Sequence, residues 1–332
     1  MRAIFLSASL AVAFFAITAP GLQSEESAAQ LPAGQASGAA QANARNTSSQ
    51  PQSFEERRRS AEAGDILAEN NLGFDYTFGN GVPQDYAKAL QWLTAAANAG
   101  FAPAQVNLGV LYERGWGSRV DRTQAARWYR AAAEQGNATA QCKLGNLYHY
   151  AHGVPRDEAE AIKWYRKSAE QGYAPAQNNL GALYHHGIGV KQDYVEARYW
   201  YRKAAEQGLP EAESNVGVMY EDGLGVERDY QQAVAWYSAS AMQGASRAQY
   251  NLATMYSAGR GVPLDYVRAY LWFSRSAAAG DPLAARSLKN LSMVMTPHQK
   301  ELALSLLADG QDAKLSEAQA QPPFDADPMN RK

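Results

Sequence analysis

A register of 36 residues runs through the middle of this 332-residue chain with no insertion or deletion. One copy is AQVNLGVLYERGWGSRVDRTQAARWYRAAAEQG, from Ala104 to Gly136. Its first alanine returns at Ala68, Ala140, Ala176, Ala212, Ala248 and Ala284, and its tryptophan at Trp92, Trp164, Trp200, Trp236 and Trp272. Its closing glycine returns at every step from Gly64 to Gly280. A period that strict means one supersecondary unit repeated, and such a unit cannot bury its apolar face alone. Neighbours must stack, which confines the chain to an array in which each unit touches only the next.

The spacing inside the unit predicts two helices. Ala68, Leu72, Gly73 and Tyr76 fall at offsets of four, five and eight, one face of a first helix. A glycine column follows this face through Gly73, Gly109, Gly145, Gly181 and Gly217, ending in Ala253. Each such glycine costs about 1 kcal/mol of helix propensity, so the column predicts a place where two helix backbones approach closely. The turn Gly79-Asn80-Gly81-Val82-Pro83 stops the first helix. A second helix starts at the Asp85 column (Asp121, Asp157, Asp193, Asp229, Asp265), where a carboxylate caps free N–H groups. It buries Ala89, Trp92, Leu93, Ala96 and Ala97 and closes at Gly100. The fold class is all-α, an α/α solenoid.

The pattern A-x-x-x-L-G-x-L-Y-x-x-G-x-G-V followed by D-x-x-x-A-x-x-W-Y-x-x-A-A-x-x-G resembles the Sel1-like repeat, a relative of the tetratricopeptide repeat. Six repeats fit, at 68–103, 104–139, 140–175, 176–211, 212–247 and 248–283. The resemblance implies a right-handed superhelix that serves other proteins as a scaffold or adaptor. Bacterial relatives include periplasmic regulators of sensor systems and envelope-assembly adaptors. Some secreted relatives carry a cysteine pair in each repeat and are linked with penicillin binding and β-lactam hydrolysis. This chain has one cysteine, Cys142, so it forms no internal disulfide and that activity is not carried over.

Outside the array the composition changes. Residues 1–21 hold one basic residue, Arg2, then an uncharged apolar run from Ala3 to Ala19, the layout of a signal peptide. The run is marginal for a membrane span, and with no cysteine nearby there is no lipobox. The chain is therefore expected in the periplasm or secreted, not inserted in a membrane once the signal is cleaved. Residues 22–52, rich in Ala, Gln and Ser, read as a disordered linker. Residues 53–67 read as an N-terminal capping helix and 284–308 as C-terminal capping helices, with Leu302, Leu304, Leu306 and Leu307 covering the last repeat. Residues 309–332 read as a disordered tail.

Chemistry is hard to find. Thirty-one basic residues balance 33 acidic ones, a net charge of −2 that argues against nucleic acid as a partner. No phosphate-binding loop, G-x-S-x-G or H-E-x-x-H is present, so no catalytic residue, cofactor or metal is expected. Glu113, His149, His185 and Glu221 occupy one column on successive units. Stacked helices stand about 8–10 Å apart, too far for a shared ion, and the column reads as a solvated polar stripe. The tyrosine and tryptophan columns read as core. Trp116 stands off the pattern in a Gly-Trp-Gly turn, either an interface anchor or folded onto the next repeat.

The related tetratricopeptide architecture implies that first helices line a concave face. The partner-binding candidates there are Asn70, Phe74, Glu113, Arg114, Cys142, Asn146, His149, Tyr150, Asn178, His185, His186, Ser214, Glu221, Asp222 and Tyr250. Asparagine precedes the leucine at Asn71, Asn107, Asn179, Asn215 and Asn251; these amides serve either a bound peptide backbone or the repeat itself. The expected function is a non-enzymatic scaffold for another protein, regulating a sensor or envelope-assembly partner. The rivals are a secreted factor that meets host proteins and a cell-wall glycan binder or hydrolase.

Overall fold

A computed structural model of the chain describes residues 53–309. The signal segment, the linker up to residue 52 and the tail from residue 310 lie outside the described residues. After α1 (Phe54–Glu62), first helices alternate with second helices. The first helices are α2 (Ile66–Phe78), α4 (Ala102–Arg114), α6 (Ala138–Tyr150), α8 (Ala174–His186), α10 (Pro210–Asp222), α12 (Ser246–Ala258) and α14 (Pro282–Val294). The second helices are α3 (Tyr86–Asn98), α5 (Arg122–Glu134), α7 (Glu158–Glu170), α9 (Tyr194–Ala205), α11 (Tyr230–Met242) and α13 (Tyr266–Ala278), with α15 (Pro297–Ala308) last. From α1 to α14 each helix packs on its sequence neighbours, α2 also meets α4 and α12 meets α14, and α15 packs back on α13. This is an α-solenoid.

Local chemistry fixes most helix starts, α12 at Ala245 being the start with neither a side-chain cap nor a proline. The six aspartates of the Asp85 column are N-caps whose carboxylates accept backbone N–H bonds from the first turn. The same residues donate their own N–H to the tyrosine carbonyl nine positions back, as Asp85 does to Tyr76 at 2.9 Å, which pins the intervening turn. First helices are capped differently. Asp65, Asn137 and Asp281 cap by side chain. Phe101, Tyr173 and Leu209 cannot, and there a proline in the first turn removes one of the N–H groups that would need a partner. Second helices close on the glycine column. At Gly100, φ is +88°, and the bonds Gly100 N–H to Ala97 O and Phe101 N–H to Ala96 O tie off the last turn.

The helical glycines have a different purpose from the one the sequence suggests. A Cβ on Gly109, Gly145, Gly181 or Gly217 would lie 2.5–2.8 Å from a ring carbon of Tyr129, Tyr165, Tyr201 or Tyr237. The glycine makes room for a ring of the paired second helix, not for its backbone. The backbone approach occurs instead at the second turn glycine. A Cβ on Gly153 or Gly261 would stand 2.2 or 2.3 Å from the carbonyl oxygen of Arg122 or Tyr230, at the start of the preceding second helix. In the array, Ala253 faces Phe273 where the other units pair glycine with tyrosine or leucine.

At the N-terminal end, Ser53 and Glu56 form a capping box on α1, and Arg57 Nε reaches the buried Asp75 at 2.8 Å. At the C-terminal end, the expected leucine cover is only half correct. Ala303 is buried and Leu306 and Leu307 are half-buried, but Leu302 and Leu304 are exposed. The last helix, started by a Thr296–Gln299 capping box, turns the Ala303 face inward and packs on α13.

Candidate functional site

Much of the polar content of the first helices joins one repeat to the next. Asn107 Nδ2 donates to Asn70 Oδ1 at 3.0 Å, Asn179 to Asn146 at 3.1 Å and Asn215 to Asn178 at 2.9 Å. Asn107, Asn179 and Asn215, three of the pre-leucine asparagines, are thus structural clasps. In the third repeat Lys143 replaces asparagine and reaches back to Glu113 at 3.5 Å. A second series, unrecognised in the sequence, is buried deeper. Gln105, Gln141 and Gln177 donate Nε2 to the carbonyls of Ala97, Ala133 and Ala169. Their Oε1 atoms accept from Gln135, Gln171 and Gln207. The signal was present, since both glutamine columns recur at 36 residues.

The Glu113–His149–His185–Glu221 column also has a structural explanation. Tyr129 and Tyr237, each 0% exposed, need acceptors for their hydroxyls. Each donates at 2.7 Å, to Glu113 and Glu221 respectively. Burial, then the adjoining carboxylate, pushes both hydroxyls far above the ordinary tyrosine range, so they remain protonated donors. Tyr165 donates instead to Asn146 at 2.7 Å, and His149 turns to Glu158, Nδ1 to Oε2 2.7 Å. Glu158 is held in turn by Arg156. Leu93 and Phe273 lack hydroxyls, and beside them the column reads Thr77 and Ser257, which bond carbonyls of their own helices. His185 packs against the rings of Tyr194 and Tyr201, and burial lowers its pKa to about 4. Its Nδ1 is buried without a hydrogen-bond partner. The expected solvated stripe is therefore a row of contacts to second-helix aromatics and neighbouring side chains. Among the described residues no three His, Cys, Asp or Glu side chains are grouped to hold a metal ion.

Burial sorts the candidates. Asn70, Cys142, His149 and Ser214 are buried, which corrects their placement on an open face: Asn70 and Cys142 meet Asn107 and Asn179 of the next first helix, and His149 meets Glu158 of its own second helix. Burial also pushes the Cys142 thiol up to about 12, leaving it an inert packing group. Glu113, Asn146, Tyr150, Asn178, His185, Glu221 and Tyr250 are half-buried, with Glu113, Asn146, Asn178 and Glu221 already bonded. Phe74, Arg114, His186 and Asp222 are exposed. Trp116 does not fold onto the next repeat. It stacks on Tyr86 at 5.3 Å and meets Phe78 edge-on at 6.4 Å, both in the preceding one. Phe78, 38% exposed, is a surface residue the sequence reading passed over, although it shares a column with Arg114, Tyr150, His186 and Asp222.

A sequence profile described as the Sel1 repeat matches residues 66–101, 102–137, 138–173, 174–209, 210–244 and 246–281. These frames begin with the first helices, two residues before the alanine column. Among solved structures, one similar chain is a protective antigen present in uropathogenic Escherichia coli strains, described as displaying an SLR fold. It is 38% identical, with a TM-score of 0.68 over 79% of this chain, which spans 57% of the length of that one. A Sel1 repeat protein from Oxalobacter formigenes is 31% identical, with a TM-score of 0.61 over 68% of this chain and 97% of its own. No curated protein matches the chain.

Proposed function

Because the chain belongs to the Sel1 repeat family, we propose that it is a non-enzymatic scaffold in the periplasm, regulating a sensor or envelope-assembly partner through its first-helix face. One observation carries this reading. The polar columns that looked chemical are largely bound internally, as tyrosine-hydroxyl acceptors and inter-repeat clasps. The first helices expose a varied surface of Phe74, Arg114, His186 and Asp222, suited to recognition. The periplasmic placement rests on the signal-like layout of residues 1–21; no described helix is long and apolar enough to cross a membrane.

Crosslinking in intact cells, with a tag after Lys332 and identification by mass spectrometry, tests it. Enrichment of one envelope protein is the expected result. Hydrolysis of a β-lactam or muropeptide by the purified chain would overturn it. A second reading, a secreted factor acting on host proteins, is favoured by the similarity to the protective antigen. Recovery in the medium with no envelope partner would select that reading.

A further inference from the structure

The first two repeats leave an aromatic surface open on the first-helix side. Leu67, Phe74 and Phe78 follow at steps of seven and four on α2, returning to one face of the helix. The two phenylalanine rings lie 4.6 Å apart and remain 42% and 38% exposed, with Leu67 at 57%. Trp116 joins them from the next repeat, its ring held in place by Tyr86. The columns of Phe74 and Phe78 continue as Val110, Asn146, Ala182, Val218 and Thr254, and as Arg114, Tyr150, His186, Asp222 and Ala258. No later unit repeats a Phe–Phe pair. A contiguous exposed aromatic cluster backed by a rigid ring is the usual form of an interface anchor.

Charge identifies the complement. Of the acids in these two units, Asp75 is held by Arg57, Glu113 by the Tyr129 hydroxyl and Lys143, and Asp85 and Asp121 by helix N-termini. Arg114, whose guanidinium lies 5.9 Å over the Trp116 ring, and Arg119 in the adjoining turn are exposed. An apolar floor with a cationic rim suits an apolar anchor flanked by carboxylates.

We propose that the Phe74–Phe78–Trp116 surface docks an acidic peptide segment of a partner protein. An aromatic or branched aliphatic side chain seats on the rings, and the carboxylates of the segment face Arg114 and Arg119. This rests on the scaffold reading and names the partner chemistry for it.

The test selects a displayed library of random 12-residue peptides on the full chain, then measures a fluorescein-labelled synthetic peptide of the enriched sequence by anisotropy. The expected consensus has an apolar anchor beside Asp or Glu. Phe74→Ser with Phe78→Ser should weaken Kd at least ten-fold. Arg114→Glu should weaken it at least three-fold and flatten its salt dependence, and Met293→Ser at the far end should leave it unchanged. The proposal is overturned by no enrichment, by a consensus without acids, or by unchanged binding to the double variant. It is also overturned if peptides bind only after deletion of residues 310–332, because the chain's own tail is then the occupant. Crosslinking in cells with the double variant separates the two readings: partner capture equal to that of the wild type leaves the scaffold standing and removes this site.

Discussion

Glu213 occupies a seat built for glutamine. In the same column Gln105, Gln141, Gln177 and Gln249 each donate to the carbonyl eight residues earlier. A carboxylate can accept from Gln243, as Glu213 does at 2.8 Å, but has no N–H for the matching carbonyl of Ala205. It is also 6% exposed. Burial, opposed by the Gln243 bond and assisted by Glu211, raises its pKa from the ordinary 4.5 to about 7. An acid with a raised folded pKa costs stability as pH climbs through the window from 4.5 to 7. At about 1.4 kcal/mol per pH unit the ceiling above pH 7 is about 3.5 kcal/mol, and solvent screening reduces it to about 2 kcal/mol. Glu213→Gln removes the charge and restores the donor, a further gain of about 1 kcal/mol. The variant should therefore gain about 3 kcal/mol at pH 8 and about 1 kcal/mol at pH 4.5. Urea unfolding followed by far-UV circular dichroism at the two pH values measures it. Equal gain at both would refute the buried-carboxylate account, and a loss at pH 8 would refute the glutamine seat as well.

Three further predictions follow from the packing. Gly145→Ala places a Cβ 2.8 Å from the Tyr165 ring and should cost about 1–2 kcal/mol in urea unfolding; adding Tyr165→Phe, after the Ala253–Phe273 pairing, should recover part of it. An unchanged midpoint would show that the ring moves freely. Ala151 holds a φ of +58° where other units have glycine, so Ala151→Gly should raise stability by about 0.5–1 kcal/mol, and a lower thermal midpoint would contradict it. Cys142 should react with iodoacetamide at pH 8 about a hundred-fold more slowly in the native chain than in urea; comparable rates would mean that the thiol is accessible.

What the sequence disclosed and what it withheld divide along a physical line. Periodicity states which residues are equivalent, so the helix pairs, the Asp85 column caps and the closing glycines were legible from their recurrence. It does not state what a column touches. The glycine of Gly145 pointed to a tight contact, but only the three-dimensional arrangement shows the Tyr165 ring lying over it. The Glu113 column mixes acids and imidazoles, which suggested a surface stripe; the tyrosine hydroxyls beneath it come from another helix 16 residues onward. Trp116 broke the pattern, and departures from a repeat carry no periodic information about direction. Its contacts with Phe78 and Tyr86 lie back along the chain.

The amide bonds between units have one more consequence, for the history of such chains. They run at offsets of eight, 30 and 37 residues, with Asn179 reaching Asn146 at 33, each reaching no farther than the adjoining copy. Copying or excising one 36-residue block between the two ends would recreate the same seam at the new junction. Array length can thus change by unequal crossing-over with little penalty to folding. Each such event would lengthen or shorten the recognition face while leaving the end-specific Phe74–Phe78 pair in place. A duplication spanning the fifth unit would not be neutral, because it would copy Glu213 and install a second joint that weakens as pH rises toward 7.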